Sequence, residues 1–438
     1  MATFPSLARS SAKSAGKSRV RPRSGLVTAL DIGSTKICCF IARLDDSRGG
    51  QHRLARVVGI GHQAARGIRN GTVVDLEAAE ASIRAAVSAA EQMAGTTVQG
   101  VILNVSAGHP TSQTIGVEVS IAGQQIADSD LRRALGQTRP TDEAEERELI
   151  HSIPIGFSID GSRGIRDPRG MFGERLGVNM HLITAQAGAV RNLQACVARC
   201  HLEIDAMVVS PYAAGLASLV EDEMDLGATV IDMGGGTTSI AVFFDGNVVF
   251  TDTVPVGGGH VTSDIARGLS TPLTQAERIK TLHGSAVASP ADDREMIEVP
   301  LVGEDDQGAV TQIPKSLLVG IIHPRIEETL ELVRARLESG GFDKLAGRRA
   351  VVTGGASQLP GAREMAARIL DKQVRIGRPL RLGGLAEATS GPAFATCAGL
   401  VGYAGRREAD TNPAALGPHP EQATGVIGRI GEWFRAAF

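Results

Sequence analysis

Asp31-Ile-Gly-Ser-Thr-Lys36 has a counterpart of the same design, Asp232-Met-Gly-Gly-Gly-Thr-Thr238, 201 positions further along the chain. Each stretch follows a short apolar run and leads into another, which predicts a β-hairpin whose turn carries a carboxylate, then glycine, then hydroxyls. Glycine lets backbone N–H groups approach an anion closely, and the hydroxyls add further donors. Asp and Gly are ordinary hairpin residues, so one such turn is weak evidence. Two in register predict a duplicated fold that holds one phosphate chain between its halves.

The segments that follow the two loops support the duplication. In both halves the pattern predicts a strand, then a glycine loop, then a helix: 54–63, 67–71 and 75–93 in the first half, and 248–256, 257–259 and 260–269 in the second. Apolar residues spaced three and four apart predict the first of these helices. Recurrence of the whole order is stronger evidence for an internal repeat than either loop alone.

Bulk composition is that of a soluble globular protein. The 438 residues are 42% hydrophobic and 21% charged, with a net charge of −3, so no global bias toward nucleic acid exists and no nucleic-acid partner is expected. The five cysteines include no Cys-x-x-Cys pair, which predicts reduced thiols in a cytosol. Residues 1–24 are rich in Lys, Arg and Ser and carry no acid, which favours a disordered basic tail over an organellar transit peptide.

A third glycine loop, Thr353-Gly-Gly-Ala-Ser357, follows the apolar run 349–352. It is either a simple strand-to-helix turn or, beside two phosphate loops, a cradle where missing side chains let an adenosine lie against backbone. Glu277 and Lys280 are three residues apart, so a helix would place them on one face. They form either a solvated salt bridge or a pair that offers Glu277 to ribose hydroxyls and Lys280 to the base.

With these three loops the chain resembles the actin, Hsp70 and sugar-kinase ATPase superfamily, and within it the FtsA family of bacterial cell division proteins. The resemblance covers about residues 25–404 and the extreme C-terminus, and its further motifs are 67–71, 230–237, 262–265, 299–300, 351–355 and 374–377. It implies an α/β, actin-like duplicated ribonuclease H-like fold with two lobes, a small inserted α/β subdomain and a C-terminal amphipathic helix.

The expected organisation follows from the repeat and the resemblance together. The tail 1–24 precedes the first lobe (25–88), the inserted subdomain (89–164) and the rest of the first lobe (165–207). The second lobe comprises the part with the second expected phosphate loop (208–270), a small subdomain (271–344) and the part with the expected adenosine loop (345–377). Residues 378–404 return to the first lobe, and a flexible tether (405–423) leads to the amphipathic helix (424–438). Small-residue-rich helices at 211–219 and 392–403 would connect the lobes.

The resemblance implies ATP and Mg²⁺ as ligands. Asp31 and Asp232 would hold Mg²⁺ through waters, which suits a cation that keeps its hydration shell. Ser210 stands where related bacterial actins carry a water-activating acid, so no catalytic residue is assigned and we expect slow or negligible ATP hydrolysis. The implied nucleotide-binding residues are Asp31, Gly33, Ser34, Thr35, Lys36, Asp232, Gly234, Gly235, Gly236, Thr237, Thr238, Gly258, Glu277, Lys280, Gly354, Gly355 and Ala356.

The last residues of the chain predict an amphipathic helix behind a proline-containing tether. At 100° per residue the large apolar side chains fall on one arc of about 140°. The helix would either dock on the protein's own core or lie in a membrane interface, and its isolation behind the tether favours the membrane. Thirteen residues are too few to span a bilayer. The membrane-contacting residues would be Val426, Ile427, Ile430, Trp433, Phe434 and Phe438.

The resemblance further implies a place and partners. A member of the family would form actin-like filaments on the cytoplasmic face of the inner membrane, anchor FtsZ at the division site and recruit later divisome proteins. The FtsZ C-terminal tail would dock on 271–344, where Arg325 in Ile321-Ile-His-Pro-Arg-Ile-Glu327 would pair with a tail carboxylate. The alternatives are a pilus-assembly or rod-shape actin homologue and, less favoured, a sugar-kinase-type phosphotransferase.

Overall fold

The computed structural model describes residues 25–44, 55–137, 146–165, 167–302, 310–380 and 382–406. Its strands are β1 (Leu26–Ile32), β2 (Lys36–Leu44), β3 (Ala55–Ala64), β4 (Ile68–Arg69), β5 (Thr72–Val73), β6 (Gly100–Val105), β7 (Thr111–Ser120), β8 (Arg147–Ile159), β9 (Ser162–Ile165), β10 (Arg175–Gln186), β11 (Glu203–Val209), β12 (Ala228–Met233), β13 (Thr238–Phe244), β14 (Asn247–Val254), β15 (Met296–Pro300), β16 (Val310–Pro314), β17 (Arg349–Thr353), β18 (Gln373–Ile376) and β19 (Leu382–Gly383).

The helices of the described residues are α1 (Leu76–Ala94), α2 (Asp128–Gly136), α3 (Ala187–Arg199), α4 (Ser210–Ser218), α5 (Glu221–Leu226), α6 (Gly258–Gly268), α7 (Leu273–His283), α8 (Lys315–Ser339), α9 (Phe342–Leu345), α10 (Ala362–Leu370) and α11 (Ala395–Arg406). The expected connecting helices 211–219 and 392–403 correspond to α4 and α11. A single 3₁₀ turn, Pro392–Phe394, precedes α11.

Two sheets of matching topology form the centres of the two lobes. The first has the order β11-β6-β1-β2-β3-β19, and the second has the order β14-β13-β12-β17-β18. In each, three antiparallel strands joined in sequence are extended on the side of the first strand by two parallel strands. Five strands thus correspond one to one between the lobes. The duplicated α/β fold with two lobes is confirmed.

Helices α4 and α11 lie between the two sheets within one hydrophobic core. They cross so closely that a Cβ on Gly399 would lie 1.7 Å from the carbonyl oxygen of Ala213. Only glycine is compatible with that approach, which explains the small residues in both helices. Helices α1 and α3 cover the other face of the first sheet and build a separate core with it.

Helix α1 shows how local chemistry sets its ends. The Asp75 carboxylate accepts hydrogen bonds from the N–H groups of Glu77 and Ala78, both at 3.1 Å, so it caps the first turn. Gly95 ends the helix in the left-handed conformation at φ 65°. The observed bounds therefore lie within a residue of the expected helix 75–93.

The inserted subdomain has bounds different from the expected 89–164. Strand β6 (100–105) pairs in parallel with β1, so it belongs to the first lobe. Strand β10 (175–186) pairs with both β7 and β8, so it belongs to the insert rather than to the first lobe's expected 165–207. The insert is thus a four-stranded sheet of order β7-β10-β8-β9 with α2 packed against it. Apolar alternation predicts a strand but does not reveal its partner.

The small subdomain of the second lobe contains α7, the β15–β16 hairpin and the 25-residue helix α8. Their buried side chains form one core with the second sheet. Within the described part of the chain, no helix is long and apolar enough to cross a membrane. The basic tail 1–24, the tether beyond the end of α11 and the helix 424–438, with Val426, Ile427, Ile430, Trp433, Phe434 and Phe438, lie outside the described residues.

Candidate functional site

The two opening loops are hairpin turns of one geometry. In the first, Gly33 N–H donates to the Lys36 carbonyl at 2.9 Å, and in the second, Gly234 N–H donates to the Thr237 carbonyl at 2.9 Å. Asp31 and Asp232 occupy the same register position in their strand pairs, two residues before the turn. The tips of the turns therefore project equivalent backbone from the two lobes.

The tips of the two loops touch each other. A Cβ on Gly235 would lie 2.4 Å from Cγ2 of Thr35, and a Cβ on Gly236 would lie 2.4 Å from Oγ of Ser34. Side chains at these glycines would separate the lobes. The Ser34 hydroxyl also accepts a hydrogen bond from Gly71 N–H at 2.8 Å, so the β4–β5 hairpin supports the first loop.

A cavity of about 160 Å³ lies behind the touching loops. Small-molecule sites usually measure about 300–1,000 Å³, so this cavity is smaller than a usual ligand site. Most of the predicted ligand residues line this cavity, together with residues that the sequence did not single out. The lining comprises Asp31, Gly33, Ser34, Thr35, Lys36, Asn104, Ser106, Ser210, Asp232, Gly234, Gly235, Gly236, Thr237, Ser239, Gly354, Gly355, Ala393 and Thr396.

Three of the predicted residues lie behind the cavity wall. The Thr238 hydroxyl is buried and donates to the Val256 carbonyl at 2.8 Å. Gly258 N–H donates to the Gly234 carbonyl at 2.9 Å, so it supports the second glycine loop from behind. A Cβ on Gly258 would lie 2.9 Å from the methyl group of Ala356, which places the third glycine loop against the start of α6.

Glu277 and Lys280 are paired with each other and with α6 rather than lining the cavity. Lys280 Nζ lies 2.6 Å from Oε2 of Glu277 and donates to Oγ1 of Thr262 at 2.8 Å. The same ammonium reaches the Gly258 carbonyl at 3.2 Å. Their one-face placement on a helix is confirmed, whereas their roles toward ribose and base stay predictions.

Burial affects the ionisation of both Asp31 and Asp232. Burial raises the pKa of Asp31 to about 7, the charge of Lys36 opposes this, and the charge of Asp232 adds to it. Burial raises the pKa of Asp232 to about 6, against a hydrogen bond that Thr396 Oγ1 donates at 3.0 Å and against the charge of Lys36. A nearby cation would favour both carboxylates in their charged form.

This donor set fits hydrated Mg²⁺. The cation prefers oxygen ligands and is usually held by one or two carboxylates with several waters. Across the described ranges, no group of three or more His, Cys, Asp or Glu side chains stands ready to hold a metal ion directly. Two carboxylates on opposite lobes therefore match a water-mediated site better than a closed protein cage.

Asn104 is a cavity residue that motif analysis missed. Its Oδ1 accepts from Ile32 N–H at 2.7 Å, and its Nδ2 donates to the Ser210 hydroxyl at 3.2 Å. The side chain is 2% exposed, so its hydrogen bonds matter to the fold. One feature of the sequence indicates its importance: it is a single amide within the apolar run 101–105. A polar residue in a buried strand needs a hydrogen-bond partner.

The segment Pro392–Thr396, named here the crossing turn, contacts all three glycine loops. The Pro392 carbonyl accepts from Thr353 Oγ1 and Gly354 N–H, both at 3.2 Å. The Ala393 carbonyl accepts from the Lys36 ammonium, and Thr396 donates to Asp232. Residues at the start of the second connecting helix thus join the first two glycine loops to the third.

Arg325 lies outside the cavity, on α8, and already has carboxylate partners. Its guanidinium donates through Nε and Nη2 to both oxygens of Asp264 and through Nη1 to Glu328. Asp264 belongs to the 262–265 motif, so the fold brings two of the family motifs together. The side chain is 29% exposed and remains accessible from solvent.

Comparison with known proteins places this architecture in a family. Residues 229–399 match the family model described as cell division protein FtsA, and residues 107–184 match that of the SHS2 domain inserted in FtsA, close to the bounds that strand pairing sets for the insert. The cell division protein FtsA of Agrobacterium fabrum is 46% identical over 435 residues, which cover 97% of this chain and 98% of that protein.

Solved structures confirm the actin-like fold. The PilM–PilN type IV pilus biogenesis complex superposes with a TM-score of 0.57 at 17% identity, covering 91% of this chain and 100% of that chain. MreB5 of Spiroplasma citri bound to ADP superposes with a TM-score of 0.52 at 14% identity, covering 87% of this chain and 97% of that chain. The near full-length match to the relative from Agrobacterium fabrum decides the family. The chain belongs to the FtsA family of cell division proteins.

Proposed function

We propose that this chain is an ATP-binding, actin-like cell division protein that polymerises on the inner face of the cytoplasmic membrane and anchors FtsZ filaments at the division site. The single observation that carries the nucleotide part is the pair of equivalent hairpin turns that place Asp31 and Asp232 at one cavity. Family membership favours this reading over a pilus-assembly protein, a rod-shape protein or a sugar kinase.

The cavity residues divide into phosphate, metal and adenosine roles. Lys36 and the loop amides and hydroxyls at 33–35 and 234–237 would bind the β- and γ-phosphates, because they combine a cation with convergent donors. Asp31 and Asp232 would hold Mg²⁺ through waters, and the cation would supply positive charge next to the phosphates. The loop at 354–356 would receive the adenosine against bare backbone.

Hydrolysis is expected to be slow. Ser210 lines the cavity at the start of α4, and its hydroxyl accepts a hydrogen bond from the Asn104 amide at 3.2 Å. A serine hydroxyl orients water but is a poor general base at neutral pH. The site would therefore bind ATP as a conformational switch more than as a reaction centre.

The membrane role rests on the residues of 424–438. Their apolar arc with Trp433 and Phe434 matches helices that lie in the interface plane of a bilayer. One short helix would bind weakly, whereas many helices on one filament would bind tightly through avidity. Self-assembly and membrane binding therefore depend on each other, and later divisome proteins would be recruited to the assembled form.

The FtsZ tail would dock on the small subdomain of the second lobe. Arg325 offers a half-buried guanidinium there, held by Asp264 and Glu328. A carboxylate on the tail would have to compete with these two acids, so the contact would be an exchange of partners rather than capture by a free cation. Substitution Arg325→Glu should weaken tail binding, with Arg334→Glu on the same helix as the control.

Co-sedimentation with liposomes and FtsZ tests the whole proposal. Full-length protein with Mg·ATP should carry FtsZ into the liposome pellet, and a variant that lacks residues 425–438 should leave FtsZ in the supernatant. FtsZ that pellets equally well with the truncated protein would contradict the anchoring role. Failure of the wild-type protein to bind radiolabelled ATP in an equilibrium assay would contradict the nucleotide role.

A further inference from the structure

The ammonium of Lys36 is held in place by the crossing turn. Its Nζ lies 3.5 Å from the centroid of the Phe394 ring and donates a hydrogen bond to the Ala393 carbonyl. A cation over an aromatic face is attracted by the ring's quadrupole. Lys36 also lines the cavity, so this arrangement lies at the wall where a phosphate chain would run.

Phe394 is itself fixed by packing on two sides. Its ring stacks on Phe40 with centroids 6.2 Å apart and planes inclined by 13°. His62 meets it edge-on, with centroids 5.9 Å apart and an angle of 87°. The side chain is 9% exposed, so these packing contacts hold it within the protein.

We propose that Phe394 is a positioning residue for the phosphate site, holding the Lys36 ammonium ready for an oxygen of a nucleotide's phosphate chain. The inference rests on the proposed function, because it assumes that the cavity binds a nucleotide. An ammonium has three N–H donors. The carbonyl takes one and the ring face occupies one side, which leaves a donor for a ligand in the cavity that Lys36 lines.

The physical benefit is pre-organisation. A lysine side chain has a flexible four-carbon stem and loses much conformational freedom when a ligand fixes it. A ring that holds the ammonium before the ligand arrives removes part of that entropic cost from binding. Phosphate-bearing ligands should gain from Phe394, whereas a ligand without phosphates should not.

The experiment compares ligands that differ only in their phosphates. Full-length wild-type, Phe394→Leu and Phe394→Tyr proteins are titrated with Mg·ADP, Mg·ATP and adenosine by isothermal calorimetry. Phe394→Leu should weaken ADP and ATP binding about three- to tenfold and leave adenosine affinity unchanged. Phe394→Tyr keeps the ring face and should bind ADP and ATP with the wild-type affinity. Equal weakening for all three ligands would show a merely structural role and overturn the proposal.

A second variant guards against a folding defect. Trifluorophenylalanine at position 394 keeps the ring's shape but weakens its negative face, so it should weaken ADP binding while circular dichroism and melting temperature stay unchanged. Lys36→Met completes a double-mutant comparison. In a protein that already carries Lys36→Met, Phe394→Leu should cause no further loss of ADP affinity. If the fluorinated protein binds ADP as tightly as the wild-type protein does, this inference alone is overturned. Absence of wild-type nucleotide binding would overturn the proposed function with it.

Discussion

Asp31 of the first lobe and Asp232 of the second lobe occupy the same register position in matching hairpins and line one cavity. Burial raises the pKa values of both carboxyl groups, to about 7 and about 6. The unfolded chain would ionise them near pH 4, so between about pH 4 and pH 7 the folded protein binds more protons than the unfolded one. The contribution of these two groups to the free energy of unfolding of the Mg²⁺-free protein should therefore fall as pH rises through this interval.

The first prediction follows from this direction of the pH dependence. At pH 8 and without Mg²⁺, Asp31→Asn should raise the free energy of unfolding by roughly 2 kcal/mol, because it removes a buried charge. The same variant should lose Mg²⁺-dependent nucleotide binding. Urea denaturation at pH 5 and pH 8 measures the first effect, and Asp293→Asn at an exposed position serves as the control. A greater stabilisation at pH 5 than at pH 8 would contradict the argument.

The second prediction concerns hydrolysis. Ser210→Glu would place a carboxylate at the start of α4 inside the cavity, where it has the chemistry to orient and deprotonate water. The rate of phosphate release from Mg·ATP should rise about tenfold or more, whereas Ser210→Ala should stay near the wild-type rate. An unchanged rate in Ser210→Glu, with ATP affinity intact, would show that this position does not control hydrolysis.

The third prediction tests the crossing of the two connecting helices. Gly399→Ala would place a Cβ 1.7 Å from the Ala213 carbonyl oxygen, so α4 and α11 would have to separate. We expect a loss of about 3 kcal/mol or more in the free energy of unfolding. Gly402→Ala lies on the same helix with no atom within 4 Å of the new methyl group and should be neutral or stabilising by up to about 1 kcal/mol. Thermal melts of the two variants measure the difference.

The fourth prediction concerns an ion pair between a buried carboxylate and a half-buried guanidinium near the end of α4. Glu223 is 4% exposed, and Arg375 donates to it from Nε at 2.8 Å and from Nη2, while Nη2 also reaches the Ser218 carbonyl at the end of α4 at 2.7 Å. Burial acts to raise the pKa of Glu223, but the hydrogen bonds from Arg375 and Val220 together with the charges of Arg375 and Arg349 outweigh it and lower that pKa. Arg375→Met should therefore cost about 3–5 kcal/mol at pH 7.

The pH dependence of that loss provides the check. Because the pKa of Glu223 is lowered in the folded protein, the stabilising effect of the pair is present above the ordinary glutamate pKa and is lost as pH falls through the folded value. Denaturation of Arg375→Met should therefore approach that of the wild type in acid. Arg349→Met provides the matched control, because Arg349 is 62% exposed and lies 3.6 Å from the same carboxylate. Equal losses in the two variants would contradict the assignment.

The fifth prediction concerns the membrane. Trp433→Glu should release the full-length protein from liposomes in a sedimentation assay, because a charge would replace the largest apolar group on the arc. Glu432→Gln, on the polar side of the predicted helix, should leave pelleting intact. Unchanged sedimentation of Trp433→Glu would argue against an interfacial helix.

Much of the fold could be predicted because its signals are local. The hairpin turns carry Asp and Gly at fixed offsets, and Asp75 caps α1 through groups two and three residues away. The bounds of the inserted subdomain could not be predicted in this way. Strand β6 joins the first lobe through β1, which lies about 70 residues earlier in the chain, and apolar alternation looks alike in both lobes and in the insert.

The sequence by itself determined the duplication, the two glycine loops with their acids and the family resemblance, because each depends on residues close together in the chain. Tertiary structure decided which strands share a sheet, and it brought Asn104 and Thr396 to the cavity while turning Glu277 and Lys280 toward α6. It also placed Lys36 against the crossing turn, 357 positions away. Such contacts depend on how the two lobes pack, and no local pattern of residue types encodes that packing.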